Sequence, residues 1–358
     1  MKIQTNVEVQ PLGPDEKLDL KKVTVIYTMF SHLGDFVVMG GLLRKFDLLG
    51  VEFESLVAHQ GSPHVSLFQT DSANRFFNIA SLRGALTLLK KLREARQRGR
   101  ILLGIPMAPG SIQAFIFFWL LKKLGALTYI VDFNLVNADV ITPPRRRYVF
   151  DRHLTQAAEL FRRPEWLDDM SMPLAMACPE IAPEKTMRRV GFFPWSGRSW
   201  LPEFTWPQSR WLALAELILQ EPDVEIVLLG RDTNYTKFAE TLRTGLPEEM
   251  RSRFISEAAT SVEDLVVGLR KIDCLVTLNT SALHLAHALK LPLVALCGSS
   301  LEIWQPEGGH VRIVRDTQGA LPPSDKYYHD PLQPSLQRIE VAGVHSALID
   351  IFSRCSSN

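Results

Sequence analysis

Short apolar runs typical of buried strands alternate with helical patterns along most of this 358-residue chain. In the first half, three strand-like runs and three helical patterns follow one another, at about 22–29, 37–49, 82–97, 101–106, 110–124 and 127–132. Strands that alternate with helices predict a parallel sheet with helices on both faces. The first half is therefore expected to be a doubly wound α/β domain.

The second half repeats this alternation, with strand-like runs such as "RRVGFFP", "EIVLLG", "CLVTLN" and "LPLVALCG". A Pro-rich stretch of low periodicity separates the two halves and predicts a linker. The expected organisation is an N-terminal domain at 1–165, a linker at 166–186 and a second doubly wound domain at 187–340. The last segment, 341–358, has helical apolar spacing and is expected to pack back on the N-terminal domain.

Charge and cysteine usage exclude some classes of protein. The chain has 40 Lys and Arg against 39 Asp and Glu, so no global field favours nucleic acid as a partner. A basic helical run at 90–100 predicts a solvated helix face, with contact to an anionic acceptor or a membrane surface as the alternative. The four cysteines have no Cys-x-x-Cys pairing, and the polar N-terminus has no signal-peptide pattern, so we expect a cytoplasmic protein.

Ligands of open parallel sheets bind beyond the carboxyl ends of the strands. The loops there, including "FSHLGD", "LGRDTN" and "CGSSLEIWQP", contain no Gly-x-Gly-x-x-Gly or P-loop pattern. In "NTSALH", Asn279, Thr280 and Ser281 begin a helix, and His284 follows one turn later. This turn and the one at Gly298 and Ser299 have two interpretations. They either cap a helix or bind a diphosphate.

One carboxylate, Asp35, stands where the first strand hands over to a helix expected to start around Phe36. An acidic residue at that place is a good helix cap, which is one interpretation. A base directed at a bound hydroxyl is the other, and Gly34 would allow the turn it needs. The local sequence alone favours the cap.

The segments "HLGDFVVMGGLLRKF", "TWPQSRWLALAELI", "VEIVLLGRD" and "DCLVTLNTSALHLAHALKLPLVALCGSS" resemble, in order and spacing, the lipopolysaccharide heptosyltransferases of glycosyltransferase family 9. The resemblance implies a GT-B architecture, in which two Rossmann-like domains face a central cleft. It also implies inverting, metal-independent transfer of a heptose from ADP-heptose, with no other cofactor. Asp35 falls on the family's proposed base, and the family's Asp-Ser/Thr-Gly-x-x-His-Leu element falls on 279–285.

Three positions depart from the family's pattern. Asn279 stands in place of the usual Asp, Ser281 in place of Gly, and Phe204 in place of a Lys that would face the donor phosphates. Arg198 or Arg231 is expected to supply the missing cation. The departures leave open a different nucleotide-sugar, a protein acceptor, or a non-catalytic nucleotide-sugar-binding protein.

The resemblance also implies partners and a location. The expected donor site comprises Arg198, Arg231, Asn279, Thr280, Ser281, His284, Gly298 and Ser299, with no metal ligand. The expected acceptor is a glycan or glycolipid of the lipopolysaccharide core. We therefore expect a cytoplasmic enzyme that is able to contact the inner membrane surface peripherally and that binds no nucleic acid.

Overall fold

A computed structural model describes residues 19–29, 33–60, 76–106, 112–131, 148–175, 187–195, 205–230, 235–298, 304–316 and 336–355. The contacts within the chain divide it into an N-terminal unit, 1–176, and a C-terminal unit, 177–358. The division falls inside the stretch predicted to be the linker.

The N-terminal unit is built on a parallel five-stranded sheet with the order β3-β2-β1-β4-β5. Its strands are β1 (Val23–Met29), β2 (Glu54–His59), β3 (Phe76–Asn78), β4 (Ile101–Pro106) and β5 (Tyr129–Ile130). Its helices are α1 (Leu33–Leu48), α2 (Leu82–Gln97), α3 (Ile112–Lys123) and α4 (Val149–Leu160).

Helices cover both faces of this sheet. On one face, Leu88 and Leu92 of α2 and Phe118 of α3 join Ile26 and Leu102 in one buried cluster. On the other face, α1 and α4 contact each other. Helix α3 approaches β4 closely, since a Cβ at Gly104 would lie 2.6 Å from the Phe118 ring. The expected doubly wound arrangement is therefore present.

Two strands and one helix of this unit were not predicted. Strand β2 begins and ends with polar residues, in "ESLVAH", and β3 has only three residues at the edge of the sheet, so neither gives a clear apolar run. Helix α4 was also not predicted, and in the structure it buries several polar side chains, among them Arg152, His153, Thr155 and Gln156.

The first part of the predicted linker packs on the N-terminal unit. Residues Pro164–Leu167 form a 3-10 turn, and the Trp166 ring contacts the rings of Phe46, Phe53 and Phe161. Asp169 accepts a 2.7 Å hydrogen bond from the buried Lys45 ammonium, which holds the pKa of Asp169 well below its usual range. The segment to residue 175 is therefore a structural part of this unit.

The C-terminal unit has a parallel six-stranded sheet with the order β11-β10-β9-β6-β7-β8. Its strands are β6 (Arg188–Phe193), β7 (Val224–Gly230), β8 (Phe254–Ala258), β9 (Cys274–Leu278), β10 (Leu293–Cys297) and β11 (Val311–Arg315). Its helices are α5 (Gln208–Ile218), α6 (Tyr235–Gly245), α7 (Glu248–Arg251), α8 (Val262–Arg270), α9 (Ser281–Ala288) and α10 (Val341–Cys355).

The last helix corrects one expectation. Helix α10, which we expected to return to the N-terminal domain, packs on α5, β10 and β11 of the C-terminal unit. Its buried face, with Val344, Leu348 and Ile351, is part of the core of that unit. The Trp206 indole also donates a 2.9 Å hydrogen bond to the Ile339 carbonyl just before α10. An amphipathic pattern alone identifies a buried face but not the surface that covers it.

The two cysteines that lie on described strands are both buried thiols. Cys274 begins β9 and Cys297 ends the neighbouring β10, as their apolar surroundings in the sequence predicted. None of the helices in the described part of the chain has the length and apolarity to cross a bilayer.

Candidate functional site

Those predicted donor residues that the structure describes lie at the carboxyl edge of the C-terminal sheet. Strand β9 ends at Leu278, and Thr280 is the N-cap residue of α9 in an extended conformation. The Thr280 side chain makes no capping hydrogen bond to its helix. Its hydroxyl oxygen is buried and has no hydrogen-bond partner among the residues that the structure describes.

This arrangement favours a ligand over plain capping. A capping threonine would accept a hydrogen bond from an amide in the first turn of the helix. A buried hydroxyl with no partner costs about 1 to 3 kcal/mol unless a bound molecule satisfies it. The first amides of a helix also point outward with a partial positive charge, and both features suit a phosphate oxygen.

His284 lies one turn inside α9 and is only 4% exposed. Burial lowers the pKa of His284 to about 4, so its imidazole is neutral at neutral pH. Its ring packs against the Trp304 ring, with the ring centres 6.2 Å apart. A neutral imidazole donates through one ring nitrogen, so a hydrogen bond from His284 to an anion would bring no charge.

The remaining donor residues divide into two groups. Asn279 and Ser281 flank Thr280 and are half-buried, and Gly298 directly follows β10 beside this turn. Arg198, Arg231 and Ser299 lie outside the described residues, as does Phe204. The structure therefore brings four of the predicted donor positions together with His284.

Two tryptophans near the predicted donor loops are packing residues in the structure. Trp195 covers the end of β7, where its indole donates a 3.1 Å hydrogen bond to the Leu229 carbonyl. Gly230, with a φ of 148°, permits this contact, since a Cβ there would lie 2.1 Å from the Trp195 ring nitrogen. Trp206 is 3% exposed and packs edge-on against the fully buried Trp211.

Arg315 was not predicted from the sequence. Strand β11, which alternates apolar and charged residues at the edge of the sheet, was not predicted. Arg315 is its last residue and pairs in register with Cys297, next to Gly298. Its guanidinium donates a hydrogen bond to Gln305, the neighbour of Trp304. A cation therefore lies at the same sheet edge as the candidate donor turn.

Asp35 lies at the corresponding edge of the N-terminal sheet. Helix α1 begins at Leu33, three residues before the predicted start, so Asp35 is the third residue of the helix and not its N-cap. Gly34 is likewise helical, with no positive φ. The capping interpretation in its original form is therefore wrong. The side chain is 9% exposed, in a first turn whose dipole favours an anion.

Two polar residues near this edge, Thr28 and His59, were not singled out from the sequence, and His59 lies on β2, which was not predicted. Strand β1 pairs with β2 in parallel, so that Met29 is opposite His59 and Thr28 opposite Ala58. Thr28 Oγ1 and His59 Nδ1 are buried with no hydrogen-bond partner in the described part of the chain. The His59 ring contacts Phe36, the residue after Asp35, and burial lowers the pKa of His59.

Comparison with protein families finds a match for the C-terminal half. The model described as glycosyltransferase family 9 (heptosyltransferase) matches residues 173–327. The chain is 25% identical over 227 residues to lipopolysaccharide heptosyltransferase 2 of Salmonella typhimurium, covering 62% of this chain and 61% of that protein. It is 28% identical over 134 residues to lipooligosaccharide heptosyltransferase 2 of Haemophilus influenzae, covering 37% of this chain and 38% of that protein.

Solved structures resemble the whole fold. A glycosyl transferase family 9 structure from Veillonella parvula matches with a TM-score of 0.61 at 16% identity, covering 95% of this chain and all of that one. The Escherichia coli heptosyltransferase WaaC with ADP matches with a TM-score of 0.57 at 15% identity, covering 92% of this chain and all of that one. The resemblance to glycosyltransferase family 9 and the GT-B fold class, both predicted from the sequence, are confirmed.

Proposed function

We propose that this chain is a glycosyltransferase that moves a heptose from ADP-heptose to a hydroxyl of a lipopolysaccharide-core or related glycan, with inversion and without a metal. The observation that carries the proposal is the α9 turn, where a buried Thr280 hydroxyl that caps nothing lies one turn from a buried, neutral His284. This turn lies within the segment that matches the heptosyltransferase family.

In this proposal the α9 turn holds the donor diphosphate. The outward amides of α9, the Thr280 hydroxyl and the His284 N–H hydrogen-bond phosphate oxygens, with Ser281, Asn279 and the backbone at 298–299 around them. These donors stabilise the negative charge that collects on the diphosphate as its bond to the sugar breaks. Charge-assisted hydrogen bonds to phosphate are the stronger kind, which also suits the proposed cations, Arg198 and Arg231.

Asp35 acts as the base in the proposed reaction. Its carboxylate accepts the proton of the acceptor hydroxyl as the hydroxyl oxygen attacks the anomeric carbon of the heptose. The bond from that carbon to the diphosphate breaks, and its electron pair leaves on the phosphate oxygen. A single displacement of this kind inverts the anomeric carbon. The burial of Asp35 and its place at the carboxyl edge of β1 support this role.

The alternatives raised by the sequence remain distinct hypotheses. One alternative is a transferase that uses a different nucleotide-sugar, since Asn279 in place of an acidic residue changes a donor contact. Another is a transferase with a protein acceptor. A protein that binds nucleotide-sugars without transferring them is the non-catalytic alternative. If the acceptor is a glycolipid, the reaction takes place at the cytoplasmic surface of the inner membrane.

A thermal-shift screen tests the donor. We expect ADP and ADP-heptose to raise the melting temperature, since a ligand at a hundredfold its dissociation constant adds about 2.7 kcal/mol. UDP-linked and GDP-linked sugars at the same concentration are the matched controls and should shift it less. A larger shift with one of these controls contradicts an ADP-linked donor and supports a different nucleotide-sugar.

The metal-free part of the proposal predicts the same turnover with and without EDTA.

A further inference from the structure

Exposed apolar side chains concentrate on one surface of the N-terminal unit. Among the described residues, nine large apolar side chains are exposed, and six of them lie on α2, on α3 or directly after α3. They are Leu82, Leu86, Ile116, Trp119, Leu120 and Leu124. We call this surface, formed by the outer sides of α2 and α3, the α2–α3 face.

Helix α3 is apolar on the side that faces away from the sheet as well as on the side that faces it. Its inner side buries Phe118 and Leu121. Ile116, Trp119 and Leu120, at helical spacing on the outer side, are 51%, 45% and 48% exposed. A helix on the surface of a protein normally carries polar residues outside, so the outer side of α3 is suited to an apolar environment.

The same surface is strongly basic. Residues 82–98 and 112–124 carry eight Lys and Arg and one carboxylate, Glu94, in a chain whose formal charge is +1. Helices α2 and α3 share one face of the sheet, and Arg96 of α2 donates a hydrogen bond to the Gly125 carbonyl just after α3. The Lys123 ammonium lies 5.6 Å over the Trp119 ring, which puts a cation beside an exposed aromatic ring.

We propose that the α2–α3 face binds the surface of an anionic lipid bilayer. Its Leu, Ile and Trp side chains would enter the boundary between headgroups and acyl chains, and the Lys and Arg side chains would contact lipid phosphates. Tryptophan and lysine side chains of this kind suit such an interface because each has an apolar part and a polar tip. A second copy of the chain fits less well, since two such basic faces would repel each other.

The proposed function supplies only the reason for membrane binding, since a glycolipid acceptor is held in a membrane. The observations on the α2–α3 face do not depend on it. Binding to vesicles is measured without donor or acceptor. Failure to bind vesicles therefore leaves glycosyl transfer intact, and failure of transfer leaves vesicle binding intact.

Flotation of the full chain with large unilamellar vesicles tests the proposal. We expect binding to vesicles of phosphatidylcholine with 30% phosphatidylglycerol, weaker binding in 0.5 M NaCl, and much weaker binding to phosphatidylcholine alone. Lys122→Gln with Lys123→Gln should lower partition roughly 25-fold, at roughly a factor of five for each charge. Trp119→Ser with Leu120→Ser should lower it roughly tenfold or more.

Matched variants lie on exposed helix positions of the C-terminal unit. Lys237→Gln on α6 and Ile349→Ser on α10 should leave vesicle binding unchanged, and melting curves should show that every variant is folded. Absence of wild-type binding, or equal binding by the α2–α3 and control variants, overturns the proposal. A third outcome also overturns it: the wild type does not bind vesicles, forms a dimer in sedimentation, and loses that dimer in the Trp119 and Leu120 variant.

Discussion

Asp35 illustrates how a single residue can carry two interpretations that only its position separates. As an N-cap it would stabilise its helix by about 1 kcal/mol, but it is the third residue of α1 and is largely buried. A carboxylate in the first turn of a helix is stabilised by the helix dipole, so this position also has a structural explanation. The N-cap interpretation is wrong, and the catalytic role remains a proposal that a variant can test.

The Asp35→Asn variant tests this residue. Asparagine keeps the size of the side chain, so we expect turnover to fall by about 10² to 10⁴ while ADP affinity and melting temperature stay nearly constant. Asp47→Asn, an exposed position on the same helix, is the matched control and should retain full turnover. Loss of several degrees in melting temperature with normal turnover would assign Asp35 a structural role.

His284 is the second residue with a testable role. His284→Ala should weaken ADP binding by 1 to 3 kcal/mol, the effect of removing a hydrogen bond to a charged group. Isothermal titration with ADP and with adenosine separates the phosphate contact from other effects. We expect adenosine affinity to be unaffected, and an equal loss for both ligands would place His284 away from the diphosphate.

Arg198 is the proposed substitute for the lysine position that Phe204 occupies. Arg198→Ala should lower the affinity for ADP but not for adenosine, because only ADP carries the charge that the guanidinium would face. Titration of the same two ligands measures this. Equal losses would exclude Arg198 as that cation and make Arg231 the next variant to test.

At the scale of the element, two helices of the C-terminal unit begin in contrasting ways. Helix α8 has a capping box, in which the Ser261 hydroxyl accepts a 3.0 Å hydrogen bond from the Asp264 amide and Asp264 accepts one from the Ser261 amide. Helix α9 begins at Thr280 without a side-chain cap. The N-terminus of α8 is therefore stabilised by its own side chains, whereas the N-terminus of α9 leaves a place for a ligand.

This contrast predicts opposite results for two conservative variants. Ser261→Ala should lower the free energy of unfolding by about 1 kcal/mol and leave ADP affinity unchanged. Thr280→Val removes a hydroxyl that has no partner in the described structure, so stability should be kept or improved while ADP affinity falls. Chemical denaturation and calorimetry measure both quantities. A destabilised Thr280→Val with normal ADP affinity would make Thr280 a structural residue.

The histidines of α9 predict how stability depends on pH. Burial lowers the pKa of His284 to about 4, and burial with the nearby His310 and His284 lowers the pKa of His287 to about 3. The His287 and His310 ring nitrogens are 3.1 Å apart. Because the unfolded chain binds these protons near pH 6.5 and the folded chain resists them, stability is complete above that pH and falls as pH drops toward 4.

Between pH 8 and pH 5 we expect His284 alone to cost on the order of 2 kcal/mol of stability. Urea denaturation at both pH values measures the loss. A His284→Gln variant should lose less than the wild type over this interval. Identical losses in the two proteins would mean that His284 does not resist protonation in the folded chain.

At the scale of the whole molecule, the sequence predicted most inner strands and missed most edge strands; the exceptions are the inner strand β2, which was missed, and the edge strand β5, which was predicted. Runs such as "VTVIYTM" and "CLVTL" are buried on both faces and therefore continuously apolar. The edge strands β3, β8 and β11 are short or alternate with polar residues, and all three were missed. The position of α10 was also wrong, because apolar spacing does not name the surface that a helix covers.

The candidate site was predictable where it depends on a local motif. The "NTSALH" turn and Asp35 were found from the sequence, since each stands between a strand and a helix. Arg315 and His59 were not, because each depends on a strand that was missed. The uncapped state of Thr280 and the neutral state of His284 depend on burial by distant residues, which a short motif cannot express.

The most direct test of the central claim is heptose transfer itself. Labelled ADP-heptose is incubated with a panel of truncated core glycolipids and the wild-type, Asp35→Asn or Asp47→Asn protein, and label in the lipid fraction is counted. We predict transfer by the wild type and Asp47→Asn, with a loss of about 10² to 10⁴ in Asp35→Asn. ADP-heptose that binds tightly and is never transferred, or transfer that only another nucleotide-sugar supports, would contradict the claim.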